Sequence, residues 1–182
     1  MMLGVMKLLL LAAVLPCVVS SANAGAELTC ESEVSALLSG ARSLATAYEK
    51  GDSIALARLS HPFLIQQAGG RARFVEFVKA AARQQKNEGF RVESIRYGSP
   101  SATYYAGSDL VCFLPVETKM TGPSGRFRET GFLIGVRDLG ASSSWVFLGS
   151  SGLRNDPELL WKAIPSLPRG VTLPPNRIAP VQ

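Results

Sequence analysis

Histidine is almost missing from this chain, with His61 the only one in 182 residues. Cysteine is nearly as scarce, at three. Metal sites of the zinc type draw on clustered Cys and His ligands, so no metal is expected and no cofactor is indicated. Gly-x-Ser-x-Gly does not occur, and Ser60 has no nucleophile-elbow context. The Gly122-Pro123-Ser124-Gly125 segment is a turn, not a phosphate cradle, because no helix follows it. Basic residues do not gather into a stripe; the densest groups are Arg71–Arg73 and Arg126–Arg128. Nucleic-acid binders usually concentrate such charge, so nucleic acid is not an expected partner. Beyond the N-terminus no run approaches the roughly 20 apolar residues of a membrane span.

What is present begins with a leader. Lys7 precedes the apolar run Leu8–Leu15, then Pro16, then a small-residue segment ending Ser20-Ser21-Ala22-Asn23-Ala24. This order of charge, apolar core and small-x-small site is read by signal peptidase. Cleavage is expected between Ala24 and Gly25, leaving a secreted or periplasmic domain. Cys17 raises lipid attachment as an alternative, but Pro16 is a poor residue to precede a lipidated cysteine. Losing Lys7 lowers the net charge of +5 by one, which supports at most a mild attraction to anionic surfaces.

Two cysteines remain, Cys30 and Cys112. In an oxidising compartment such a pair suggests one disulfide; two buried free thiols are the competing reading.

Hydrophobic spacing then sets the order of elements. Val34, Leu37, Leu38, Ala41, Leu44, Ala45 and Tyr48 mark one helical face. Gly51 ends that helix and Asp52 caps a second carrying Ile54, Ala55, Leu56 and Leu59. Pro62 stops it near His61. Phe63-Leu64-Ile65 reads as a strand fragment. Gly69-Gly70 opens a third helix with Phe74, Val75, Phe77, Val78, Ala81 and Ala82 on one face, closed by Gly89. From Phe90 the texture turns strand-like: Phe90–Tyr97, Thr103–Tyr105, Leu110–Met120, Phe127–Arg137 and Trp145–Leu148, with a hairpin turn at Thr121–Gly125. Connections this short imply antiparallel pairing. A last helix from about Asp156-Pro157 covers Leu159, Leu160, Trp161 and Ile164, and Pro165, Pro168, Pro174, Pro175 and Pro180 keep the C-terminus extended. The expected division is a leader over 1–24, a single α+β domain over 25–164 and a Pro-rich tail over 165–182.

Helices followed by a curved antiparallel sheet is an α+β arrangement. Over about Glu31 to Ser150 it resembles the nuclear-transport-factor-2-like superfamily, the cone shared with ketosteroid isomerases and scytalone dehydratases. The resemblance is carried by element order, by Gly51-Asp52 between the first helices, and by His61-Pro62 with Gly69-Gly70 before the third. The Trp145-Val146-Phe147-Leu148-Gly149 strand and the Ser166-Leu167-Pro168 tail are similar to those of exported, uncharacterised members. The resemblance implies a cone-like packing with a pocket between sheet and helices. It implies no particular reaction, and no catalytic motif of the family transfers onto these residues.

His61 is the natural general acid/base, its ordinary pKa lying near neutrality, with Glu117 or Glu129 as carboxylate partner. Against that, an imidazole ending a short helix can hydrogen-bond terminal carbonyls, and the two glutamates suit outward-facing strand positions beside Lys119 and Arg128. Tyr48, His61 and Tyr104 are the candidate ligand-pocket residues, although tyrosine in such elements usually packs. The leading expectation is an exported domain that binds a small apolar ligand or a protein partner of the cell envelope. A homodimer is one further arrangement open to it. The alternatives are a cone-fold isomerase, dehydratase or hydrolase using His61, and an envelope inhibitor or immunity-type protein.

Overall fold

The computed structural model describes residues 27–140 and 144–181. The leader, its cleavage site and Cys17 lie outside them. Four helices come first: α1 (Val34–Lys50), α2 (Ser53–Leu59), α3 (Pro62–Gln67) and α4 (Arg71–Asn87). Strands β1 (Arg91–Tyr97), β2 (Tyr104–Ala106), β3 (Asp109–Gly122), β4 (Gly125–Asp138) and β5 (Val146–Gly149) follow. A 3-10 turn (Ser150–Arg154), α5 (Leu159–Ala163) and β6 (Arg177–Pro180) complete the chain. The fold is α+β, with an antiparallel sheet that stays open rather than closing on itself.

The β3–β4 hairpin is the spine. Its register runs unbroken from Asp109↔Asp138 to Gly122↔Gly125, so Pro123 and Ser124 alone form the loop. β1 and β2 both add to β3, while β5 and β6 add end to end along the other edge of β4. Side chains alternate across a strand, and both faces of this hairpin are used. One face presents Leu110, Cys112 and Leu114 to Leu37 and Ala41 of α1, with Trp145 and Phe147. The other presents Val111, Phe113, Phe132 and Ile134 to Leu153, Leu160, Ile164 and Leu167. The C-terminal segment is therefore a covering layer: Leu167 is buried, and Val171 and Leu173 pack against the same cluster.

Two glycines let α1 lie close on its face. A Cβ on Gly135 would sit 2.5 Å from Leu37 Cδ1, and one on Gly40 would sit 2.9 Å from the Phe147 ring. Cys30 and Cys112 form the expected disulfide, with Cα atoms 5.6 Å apart. It ties the approach to α1 directly to the first residues of β3. The Glu33–Arg137 ion pair, half-buried on both sides, adds a second tether at the same end.

The strand expected at Phe63–Ile65 is instead helix α3. A three-residue apolar run has no periodicity to separate the two states, and here the flanks decide. Pro62 occupies the first helical turn, where its missing N–H is no loss, and His61 supplies an acceptor cap. Phe63 and Leu64 then turn towards the C-terminal core. The remaining expected elements occur, with Gly51 left-handed after α1 and the Asp52 carboxylate accepting from Ala55 N.

Oxidised protein should show no alkylatable thiol at Cys30 or Cys112 by mass spectrometry. Replacing both by Ser should lower stability by about 4–5 kcal/mol in chemical denaturation, the loop-entropy value for so long a closure. Gly135→Ala, which forces a methyl into Leu37, should cost about 1–3 kcal/mol.

Candidate functional site

Strand alternation separates the two candidate carboxylates. Glu117 pairs across from Thr130 and Glu129 across from Thr118, so they point to opposite faces of the hairpin. Glu117 lies 3.6 Å from Arg128, and Glu129 accepts from Arg154 at 2.8 Å. Neither is hydrogen-bonded or ion-paired to His61.

His61 sits where the chain crosses from α2 to α3 along the edge of β5. Its N–H donates to Phe147 O at 2.9 Å, next to a parallel bridge between Ser60 and Phe147. The imidazole does not donate to terminal carbonyls of α2, as its position in the sequence suggests. Its Nδ1 accepts from the Phe63 N–H at 3.2 Å, capping the start of α3. The difference follows from α3 itself, whose first N–H groups need acceptors. An accepting Nδ1 requires the neutral ring, and burial likewise pushes the imidazole pKa below its ordinary 6.5.

The tyrosines are committed elsewhere. Tyr48, at the end of α1, donates to Gln85 Oε1 of α4. Tyr104 lies on the face covered by the C-terminal segment, edge-on to Phe113 at 5.4 Å, and its hydroxyl accepts from Thr172 N. Tyr48, His61 and Tyr104 thus serve three different joints, not one pocket.

Clefts do occur along the outside of the helical layer. One, about 420 Å³, runs between α1 and α2 and is lined by Ser39, Arg42, Ser43, Thr46, Lys50 and Arg58, among others. A second, about 460 Å³, lies between α2, α3 and β5, where Arg58 and Arg71 flank Ala57, Pro62, Ile65 and Val146. Arg58 borders both. Sequence reasoning passed over these residues, yet a signal exists. Positions 39, 42, 43, 46 and 50 repeat the helical spacing on the side of α1 away from Leu37, Ala41 and Leu44.

Compared with known proteins, the chain matches no family model, no curated protein and no solved structure.

His61→Ala should lower stability by about 1 kcal/mol, the usual worth of an N-cap acceptor, and His61→Asn should recover part of it. The imidazole pKa is depressed in the folded state, so protonation favours unfolding. This contribution is complete above pH 6.5 and is lost as the pH falls towards the folded-state pKa. Thermal unfolding followed against pH should show that decline in the native protein and not in His61→Asn.

Proposed function

We propose that this is an exported binding domain that holds a protein partner against its helical layer. The observation that carries this reading is the commitment of every candidate catalytic group to the fold. His61 caps α3, Glu117 and Glu129 pair with separate arginines on opposite faces, and Tyr104 receives the Thr172 N–H. The helical layer instead offers two adjoining troughs bordered by cations and hydroxyls. Such troughs suit a polypeptide laid along the surface better than an enclosed apolar ligand, whose sites are concave and mostly apolar.

Kinship with the nuclear-transport-factor-2-like superfamily is part of the proposal. It is supported by helices preceding an antiparallel sheet and by the Gly51-Asp52 and His61-Pro62 junctions. A cone-like pocket and a catalytic descendant of that fold form the second reading, favoured only by His61 being half-buried near the helix–sheet junction. Export is supported by the Ala22-Asn23-Ala24 site and by a disulfide of the kind that persists in oxidising compartments.

Mature protein from the native host should begin at Gly25 on N-terminal sequencing; an intact Met1 or a lipidated Cys17 would overturn the export assignment. A photo-crosslinking residue at Ser43 or Ala55 should give a discrete adduct in the native compartment, while one at Ser124 on the hairpin tip should not. Absence of the adduct, or a small-molecule turnover abolished by His61→Ala in a still-stable protein, would replace partner binding with the enzyme reading.

A further inference from the structure

Half of the arginines on the strands, and Arg154 beside them, are answered by acids. Arg126 pairs with Glu93, Arg128 with Glu117, Arg137 with Glu33 and Arg154 with Glu129. The cations along the two helical clefts are not: among the described residues, Arg42, Lys50, Arg58 and Arg71 make no ion pair. One acid, Asp52, lies in the cleft walls, and its carboxylate accepts the Ala55 N–H as the cap of α2. The resulting field is positive over both troughs.

Between those cations the walls are apolar and small. Ala47, Ala55 and Leu59 floor the first cleft, and Ala57, Ile65 and Val146 the second. Ser39 and Thr46 add hydroxyls beside Arg42. From Ser39 to Lys50 the helix rises about 16 Å, the span of about five extended residues.

We propose that the two clefts form one docking groove for an acidic polypeptide segment in which carboxylates alternate with aliphatic side chains. The carboxylates would meet Arg42, Lys50, Arg58 and Arg71, and the aliphatic residues would cover the alanine and leucine floor. This deepens the partner-binding reading and rests on it. Charge complementarity selects an acidic chain, and the apolar floor selects a polypeptide over a sulfated or phosphorylated polymer. A purely anionic polymer would bury the floor against nothing. Arginine also suits carboxylates through its paired N–H donors.

The test uses the mature protein and a fluorescent peptide of alternating Glu and Leu, about five to twelve residues long to match the groove. Isotope-labelled amide spectra should shift within residues 39–59 and 62–66 and around Arg71, and not along the C-terminal segment. Arg58→Glu should weaken binding about tenfold, and so should a rise in salt that shortens the Debye length to a few Å. Arg42→Glu and Arg71→Glu repeat the test at either end should Arg58→Glu fail to fold by circular dichroism. A Lys-Leu peptide should bind Arg58→Glu better than it binds the native protein. Binding indifferent to all three charge reversals, or none at all, overturns the proposal. So does equal binding of polyglutamate or a sulfated oligosaccharide, which would mark a general polyanion surface. If the crosslink from Ser43 forms while the Glu-Leu peptide fails, partner binding stands and the acidic chemistry falls.

Discussion

The docking of α1 on one face of the central hairpin is the constraint on which the remaining structure depends. Three features act at one end of that contact: the Cys30–Cys112 bond, the Glu33–Arg137 pair and the bare backbone of Gly135 beneath Leu37. An amphipathic helix gains most of its stability from the face it buries, and here that face meets residues from the first half of β3 and from β5. The disulfide holds the approach to α1 against β3 even when packing loosens. Gly135 and Gly40 then set how near the helix can come. A methyl at either position would meet a buried side chain before the helix reached its present depth.

Once α1 is fixed, the helices after it have few choices. Gly51 turns the chain back, Asp52 starts α2, and Ser60 and His61 are stitched to the edge of β5. That stitch leaves α3 to begin on Pro62 with an acceptor behind it. The imidazole is thus absorbed into chain geometry by the same backbone contact that places it near the sheet. Tyr48 performs a similar service between α1 and α4. Residue types often associated with catalysis are here the joints of the helical layer.

Much of this was legible in the sequence. The spacing of Leu37, Ala41 and Leu44 gave the buried stripe of α1, and glycines at 51 and 89 marked helix ends where positive φ is needed. The hairpin and the disulfide could be anticipated from β-rich runs and an even cysteine count. Two things could not. Phe63–Ile65 is too short for periodicity, so its helical state depended on a cap made by the residue before Pro62. The role of the last segment was hidden because proline suggests extended chain without saying what it covers. Leu167, Val171 and Leu173 reach the core through tertiary contacts that no local pattern encodes. The candidate site was missed for a related reason. Titratable groups such as His61, Glu117 and Glu129 stand out in a sequence, whereas the groove is built from hydroxyls, alanines and arginines that look individually like ordinary solvated residues.

Whether those arginines carry meaning turns on where their counter-charges are. A surface ion pair is worth little to stability, so folding alone gives no strong reason to pair Arg126, Arg128, Arg137 and Arg154 and leave the cations of the two clefts open. Those pairs have a different effect: Glu93, Glu117, Glu33 and Glu129 each cancel an arginine locally, so the paired charges contribute little net field beyond a Debye length. The cations bordering the two clefts keep their field, and the low-dielectric wall of alanine and leucine beneath them concentrates it in the trough. In the first cleft three cations, Arg42, Lys50 and Arg58, face the one carboxylate of Asp52. That carboxylate accepts the Ala55 N–H as the cap that starts α2, so its place at the helix end is fixed and the cleft stays net positive. Helix capping therefore fixes where the negative charge of Asp52 sits in the groove, without removing it.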